Sequence, residues 1–415
     1  MAHLRPALTF CLSPLPFSSA SGFDLSSFTF ALLFVWRQAH HVTGALNWFA
    51  LTAVMPYKTI GFGLILGSCP SPARAAEERA NQGGNTMAKI TVLSLNGEDM
   101  IELVGRDGTL PAENSLAFKR GRLLGELVKT IGADVVGLVE APPDTERTEA
   151  FVKAHLDGNY RVYQAEKRGS LGLAFLVKKR LHIAVKPRTK IQSLTDFKLS
   201  EFDADGDGIR ELYGWANRVP FEATLSGDDL SAPTTFILIH AKSKGAFIPG
   251  DLFAYERLSR ANRMKLRAQA RSVRTRLDTL VDAQGRGRVV VLGDMNDGPE
   301  FDVYAALMGG AFLEPVMGSV WDPSRVFHNV HADLKPKERW TIDFQDRVVN
   351  PLGRSKYGSP TELRSWIDHI LVSPELRDSV VPDSAKIYHQ TLSQGSGPTR
   401  VRPTDHHPPY VTLKL

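Results

Sequence analysis

The segment Val289-Val290-Val291-Leu292-Gly293-Asp294-Met295-Asn296 decides how this chain is read. Its unbroken aliphatic run is the pattern of a short strand covered on both faces, bounded by a glycine as strand ends commonly are. Two polar side chains then follow on one loop, Asp294 and Asn296, able to aim an acceptor and an amide at the same point. Alone, such a pair is an ordinary turn.

The same design recurs on both sides of it. Apolar strands run directly into polar residues of catalytic type at Leu93-Ser94-Leu95-Asn96, Val135 to Glu140, Phe236 to His240 and Trp366-Ile367-Asp368. A further cluster, Thr404-Asp405-His406-His407-Pro408, immediately precedes the last strand. Strand ends are where active sites of layered α/β folds are assembled, so these groups are expected to meet at one rim.

The intervening sequence supports that architecture. Strands are predicted at Lys89 to Leu95, Asp134 to Val139, Leu171 to Val177, Val219 to Leu225, Thr235 to Ile239, Val289 to Leu292, Trp366 to Val372 and Tyr410 to Leu413. An amphipathic helix is predicted from Ser115 to Ile131, ended by Gly132, and a long one from Asp251 to Val281. No internal repeat or low-complexity segment interrupts the series, which reads as one large α/β domain over residues 87–415.

Composition sets bounds only. The 415 residues are 43% hydrophobic and 23% charged, as in an ordinary globular protein, and the net charge of +5 is compatible with a polyanionic partner without requiring one. Both cysteines, Cys11 and Cys69, lie in the N-terminal seventy residues, so a metal site downstream must use oxygen or nitrogen ligands.

Residues 1–86 form a non-conforming extension. Its apolar runs, Phe28 to Trp36 and Ile60 to Leu66, are too short to span a bilayer, and no stable membrane insertion is expected. Gln82-Gly83-Gly84 can be encoded by CAAGGAGGA, a ribosome-binding sequence ahead of Met87, which predicts translation from Met87 and a cytoplasmic protein. The alternative is a start at Met55, with Lys58 to Ala76 as a signal peptide and a secreted or periplasmic product.

In order and type, Asn96, Glu140, the strand histidine His240, Gly293-Asp294-Met295-Asn296, Asp368 and Asp405-His406 resemble the motifs of the endonuclease/exonuclease/phosphatase superfamily. The resemblance spans about residues 89–415 and implies a four-layer sandwich of two mixed β-sheets flanked by helices. It also implies hydrolysis of phosphate esters, which needs an activated water, neutralised phosphoryl oxygens and help for the leaving oxygen. Hard oxygen ligands suit Mg2+, with Mn2+ as a substitute. By the resemblance, Glu140 is the principal metal ligand with Asn96 beside it and Asp405 close by. His406 would be general base or electrostatic partner of the phosphate, oriented by Asp368. Asp294 and Asn296 would address the attacking water and the phosphorus, and His240 would bind a non-bridging oxygen or protonate the leaving group. The family pattern Asp-His-x-Pro selects His406 over His407, and His369 is expected to be structural.

Other features are weaker. Arg218 in Asn217-Arg218-Val219-Pro220 resembles an arginine that approaches the site in family members, and Lys242 and Lys244 after His240 could contact phosphate. Arg257, Arg260, Arg263, Arg267, Arg271 and Arg274 fall within about a third of the long helix's circumference at about 100° per residue. A solvated basic face is the expectation there, against a stripe that tracks phosphates. Asp203 to Gly208 imitates a calcium loop but has Gly214 where a closing glutamate belongs, so a polar turn is expected.

The expected activity is therefore a Mg2+-dependent nuclease cleaving DNA or RNA, acting as a monomer. The alternatives are a hydrolase of a small phosphoester, such as an inositol phosphate or sphingolipid, and an inactive relative that only binds nucleic acid. The last is marked by loss of Glu140, Asp294, Asn296 or His406, and all four are present.

Overall fold

A computed structural model describes residues 87–188, 190, 191, 194, 215, 218–245, 252–299, 311–345, 362–390, 392–395 and 400–415, with the backbone of 30–34, 47–54 and 61–68. The Asp203 to Gly208 segment and Asn217 lie outside the described residues. The chain divides into two units, Met1–Thr86 and Met87–Leu415. In the first, β1 (Phe30–Phe34), β2 (Asn47–Val54) and β3 (Gly61–Ser68) form an antiparallel sheet in that order. Among the described residues no helix is long and apolar enough to cross a membrane.

The second unit holds two six-stranded mixed sheets. The first runs β16 (Lys386–Ile387), β17 (Pro409–Lys414), β4 (Lys89–Asn96), β5 (Val135–Ala141), β7 (Gly172–Lys178), β6 (Tyr160–Gln164). The second runs β12 (His328–Asn329), β15 (Asp368–Val372), β11 (Val289–Asp294), β10 (Thr234–His240), β9 (Phe221–Gly227), β8 (Ile183–Arg188). Only β4 with β5 and β10 with β11 pair in parallel among these; a separate hairpin joins β13 (Ile342–Gln345) to β14 (Glu362–Ser365).

The near-continuous apolar strands are explained by their two covered faces. Ile90, Val92, Val135, Phe175, Phe236, Leu238, Val290, Leu292 and Ile370 point between the sheets. Their alternates on the first sheet, Leu93, Leu95, Val136, Leu138 and Leu176, pack against helices α1 (Leu116–Ile131) and α2 (Thr145–His155). On the second, Ile237, Ile239, Val289, Val291 and Leu371 pack on Leu266, Val273 and Leu277 of α3 (Leu252–Leu280) and on Val316 of α4 (Leu313–Met317). Period-two alternation thus feeds two different cores, giving four layers, helix, sheet, sheet, helix. A Cβ on Gly137 would come within 2.7 Å of Leu292, so this glycine lets the sheets approach.

The helix boundaries follow local chemistry. Ser115 is the N-cap of α1, its hydroxyl accepting from the Phe118 amide at 3.1 Å, and Gly132 closes it with φ of 72°. Expected strand starts at Val219 and Trp366 move to Phe221 and Asp368. The basic face of α3 differs from the expectation of a solvated stripe. Arg257 and Arg260 are exposed, but Arg263 is buried and Arg274 binds Asp278, the carbonyls of Val316 and Met317 at the end of α4, and the carbonyl of Arg325 beyond it. The physical reason is that α4 packs alongside α3, and its orphan carbonyls recruit an arginine.

Candidate active site

Sheet register brings the polar strand ends together. Across β10, β11 and β15, His240 pairs with Asp294 and Asp294 with Asp368, three neighbours in one row. On the facing sheet Asn96 pairs with Val139, and the next residue, Glu140, sits in a bulge between Val139 and Ala141 with φ of 58°. A bulge re-aims one side chain, here a carboxylate toward the gap between the sheets. Asn296 and the loop residues Glu98 and Asp99 also have positive φ, so backbone strain clusters at this rim. Gly293 is required: with φ of 132°, an added Cβ would stand 1.9 Å from the Ile239 carbonyl.

All the expected central residues converge. Glu140 Oε1 lies 3.5 Å from both the Asn96 Nδ2 and the His240 Nε2. Asp294 Oδ2 accepts from Asn96 at 3.2 Å and from Asn296 at 3.1 Å, and lies 3.8 Å from His240 Nε2. His406 Nδ1 meets Asp368 Oδ2 at 2.7 Å, and its Nε2 lies 3.3 Å from Asn96 Nδ2 and 3.9 Å from Asp405 Oδ1. Arg218 Nη1 donates to His240 Nε2 at 2.7 Å, which places the ring proton on Nδ1.

The electrostatics separate these groups. Burial pushes Asp294 up, and the Asp368 charge adds to it against the pull of His406, to about 7. Burial alone would lower His406, but the Asp368 carboxylate and hydrogen bond, with Asp294 and Asp405, push it up to about 10. It is an imidazolium at neutral pH. His240 is held well below the usual histidine range by burial, Arg218 and His406. It is therefore neutral, and better suited to hydrogen bonding than to protonating a leaving group.

The remaining candidates divide. Lys242 Nζ donates to the Ser243 carbonyl at 3.1 Å, and burial, Lys265 and Arg218 lower its pKa, placing it on the Arg218 side. Lys244 instead ion-pairs with buried Asp297. His369 is buried between Asn329 and the Asp297 carbonyl, a structural histidine. His407 points away, toward the Tyr388 carbonyl and Trp340.

Several contributors carry no strand-end signal. Thr404 Oγ1 donates to the Asn96 carbonyl at 2.8 Å and accepts from the His406 amide at 3.2 Å. Thr341 Oγ1 accepts from the Ile367 and Asp368 amides, both at 3.0 Å. Arg120 binds the Gly97 carbonyl at 2.6 Å, and the Asp99 amide donates to Glu140 Oε2 at 2.7 Å. Thr404 could have been found from its place beside Asp405; the others are named only by tertiary contact.

The donor set fits a hard cation. Asp294, Asp368 and His406 bring one ligand-type atom each within 4.8 Å of one another. Since Asp368 occupies His406 Nδ1 and the ring is charged, that trio suits holding protons better than a metal. The Glu140 side, with Asn96 and Asp405, suits the metal better. Asn96 turns its amide nitrogen toward Glu140 while its oxygen accepts from the Glu98 amide. A protonated His406 Nε2 calls for the opposite face of that amide, and the same turn would bring an oxygen ligand beside Glu140.

A four-layer sandwich with these carboxylates, amides and histidines at one rim defines a phosphoester hydrolase. The chain belongs to the endonuclease/exonuclease/phosphatase family, whose sequence pattern matches residues 114–406. Similar folds include an endonuclease/exonuclease/phosphatase family protein of Bacteroides thetaiotaomicron, 15% identical, covering 78% of this chain and 97% of that one with a TM-score of 0.46. Truncated TDP2 of Caenorhabditis elegans is 18% identical over 78% of this chain and 97% of its own, TM-score 0.45. A mannosyl-6-phosphatase of B. thetaiotaomicron is 14% identical over 78% and 99%, TM-score 0.46. None of the curated proteins matches the chain.

Proposed function

We propose that this protein is a Mg2+-dependent phosphodiesterase that cleaves nucleic acid as a monomer. The observation that carries the reading is the pairing, within one buried rim, of Asp294 raised to about 7 with a His406 imidazolium locked on Asp368. A carboxylate poised near neutrality is matched to taking a proton from water, and a fixed imidazolium to facing a phosphoryl oxygen. Mg2+, or Mn2+ in its place, would be held by Glu140 with Asn96 and Asp405, and when bound supplies neutralisation of charge on the phosphoryl oxygens.

In this reading Asp294 orients and deprotonates the attacking water, with Asn296 holding the Asp294 carboxylate through its backbone amide at 2.8 Å. His406 keeps its proton on the face toward the phosphate because Asp368 accepts the other one. On the opposite side the Arg218 guanidinium, held by the Nε2 lone pair of neutral His240, faces a non-bridging oxygen, with Lys242 nearby. The net charge of +5 is compatible with a polyanionic substrate.

The test is hydrolysis of plasmid DNA, RNA, oligonucleotides and inositol phosphates with Mg2+, Mn2+ or chelator. Activity should require the metal and fall about 10^3-fold or more in Glu140→Gln and in His406→Ala. Activity that survives both substitutions refutes the assignment, and turnover of inositol phosphates alone transfers the same chemistry to small phosphoesters.

A further inference from the structure

Beside His406 a cleft of about 550 Å3 is lined by Trp340, Tyr388, His389 and His407, by Arg364, Arg400 and Arg402, and by the loop carrying Thr404 to His407. Its wall is preassembled. The Trp340 and His389 rings stack at 4.3 Å with 12° between planes, and His407 meets Trp340 edge-on at 4.4 Å. The Arg364 guanidinium lies 4.4 Å from the Trp340 ring centre, and His389 Nε2 donates to the Trp340 carbonyl at 2.9 Å. Rings fixed in this way lose little freedom when a flat partner is added.

The rim has the complementary chemistry. Arg402 is half exposed and reaches Glu98 at 3.3 Å, an exposed pair that an incoming anion can compete for. Arg400 is exposed and has no ion-pair partner among the described residues. Asp405 and His406 belong at once to this cleft and to the candidate active site, so whatever fills the cleft is continuous with a phosphate at the site.

We infer that this cleft is a nucleotide subsite: a base lies against the outside of the stack that His389, Trp340 and the Arg364 guanidinium form, beside Tyr388, and the phosphate next to the scissile one sits on Arg400 and Arg402. The inference rests on the hydrolase reading above and specifies its substrate as a strand that extends beyond the scissile bond. A compact phosphomonoester would need neither the aromatic wall nor a second cationic contact.

Two parallel measurements test it. The first compares kcat/KM for a single-stranded oligonucleotide with that for bis(4-nitrophenyl) phosphate. Arg400→Ala and Trp340→Leu should each lower the oligonucleotide-to-small-diester ratio about tenfold, chiefly through KM. Arg286→Ala, which removes an arginine paired with Asp282 at the other end of β11, should leave the ratio unmoved. The second is fluorescence anisotropy of a labelled oligonucleotide in the Glu140→Gln protein. Adding Arg400→Ala should weaken binding about tenfold and reduce the slope of log affinity against log salt by about 0.7. An unchanged ratio and unchanged binding in both variants overturn the subsite, and the hydrolase reading still stands if Glu140→Gln abolishes turnover of both substrates. If the unsubstituted protein turns over neither substrate, the hydrolase reading fails instead, and the anisotropy arm still decides the subsite.

Discussion

Two histidines are buried at the same rim, one neutral and one charged. His240, at the end of β10, is flanked by the Arg218 guanidinium, and its Nδ1 has no hydrogen-bond partner. His406, in the loop before β17, is clamped by Asp368 and faces two further carboxylates. Both are desolvated, so burial acts on each in the same direction. The neighbours decide the sign. Topology in turn decides the neighbours: His240 receives its arginine from the segment entering β9, whereas His406 is carried by the first sheet to an aspartate on the second. A phosphate between them would meet an arginine held by a neutral imidazole on one side and an imidazolium backed by aspartate on the other.

The largest expected effect comes from breaking the charged half. Asp368→Asn removes the group that fixes the His406 tautomer and raises its pKa, and kcat should fall about 10^3- to 10^4-fold with little change in KM. The pH profile checks the cause. In the wild type kcat/KM should rise as Asp294 ionises near 7 and fall as His406 loses its proton near 10. In Asp368→Asn the residual activity should show both limbs moved to lower pH, because Asp368 raises both groups. Unmoved limbs would remove Asp294 and His406 from these roles.

The same shifts make a stability prediction. His406 has a folded pKa above its ordinary value, so its contribution is complete below about 6.5 and lost as pH rises through about 10. Asp294 is also raised, so folding gains from its protonation below about 3.8 and loses that gain as pH rises through about 7. The histidines held below their ordinary range, His240 among them, act in the opposite sense only below about 6.5, so urea unfolding should show stability declining from pH 7 to pH 10, and declining less in Asp368→Asn. A flat profile would mean that the charges at the rim are neutralised in another way.

The neutral half should give a smaller effect. Arg218→Ala removes a donor to His240 and a cation beside the phosphate, and activity should fall about 10- to 100-fold. Histidine NMR titration should show the His240 pKa moving up once the guanidinium is gone, yet staying below the ordinary value because the ring is still buried. Lysine should not restore activity, since an ammonium cannot keep one donor on Nε2 and also present the planar guanidinium's other N–H groups to the phosphate.

This asymmetry also marks how far the sequence could be read. His240, Asp294, Glu140 and Asn96 were legible because each stands where a strand covered on both faces runs out, and Asp368 because it stands where one begins. The long helices and the eight longer strands were equally plain, two of the strands with displaced starts. Strand β8 was not, because Ile183–Arg188 exposes alternate residues and carries a proline at Pro187. Nor was α2, whose helical face rests on little more than Phe151 and Val152. Sequence could not assign charge states either: Arg218 and Asp368 lie 22 and 38 positions from the histidines they control. The bulge at Glu140 has no glycine to advertise its positive φ.

The smallest effect should come from loosening one half without touching its charge. His240 is held by the β10 to β11 register itself, with the Ala241 amide on the Asp294 carbonyl at 2.9 Å, so no single side chain secures it. His406 depends on Thr404, whose hydroxyl joins the Asn96 carbonyl to the His406 amide. Thr404→Val keeps the shape and removes both bonds, leaving a buried carbonyl and amide short of partners at a cost of about 1–3 kcal/mol. Asp368 remains to charge the imidazole, so the pH limbs should stay near 7 and 10 while kcat drops about 2- to 10-fold through misplacement alone. Chemical denaturation and a pH series on this variant separate position from charge: a stability loss with unmoved limbs is the signature of position, whereas a displaced alkaline limb would show that the loop, and not Asp368, sets the His406 proton.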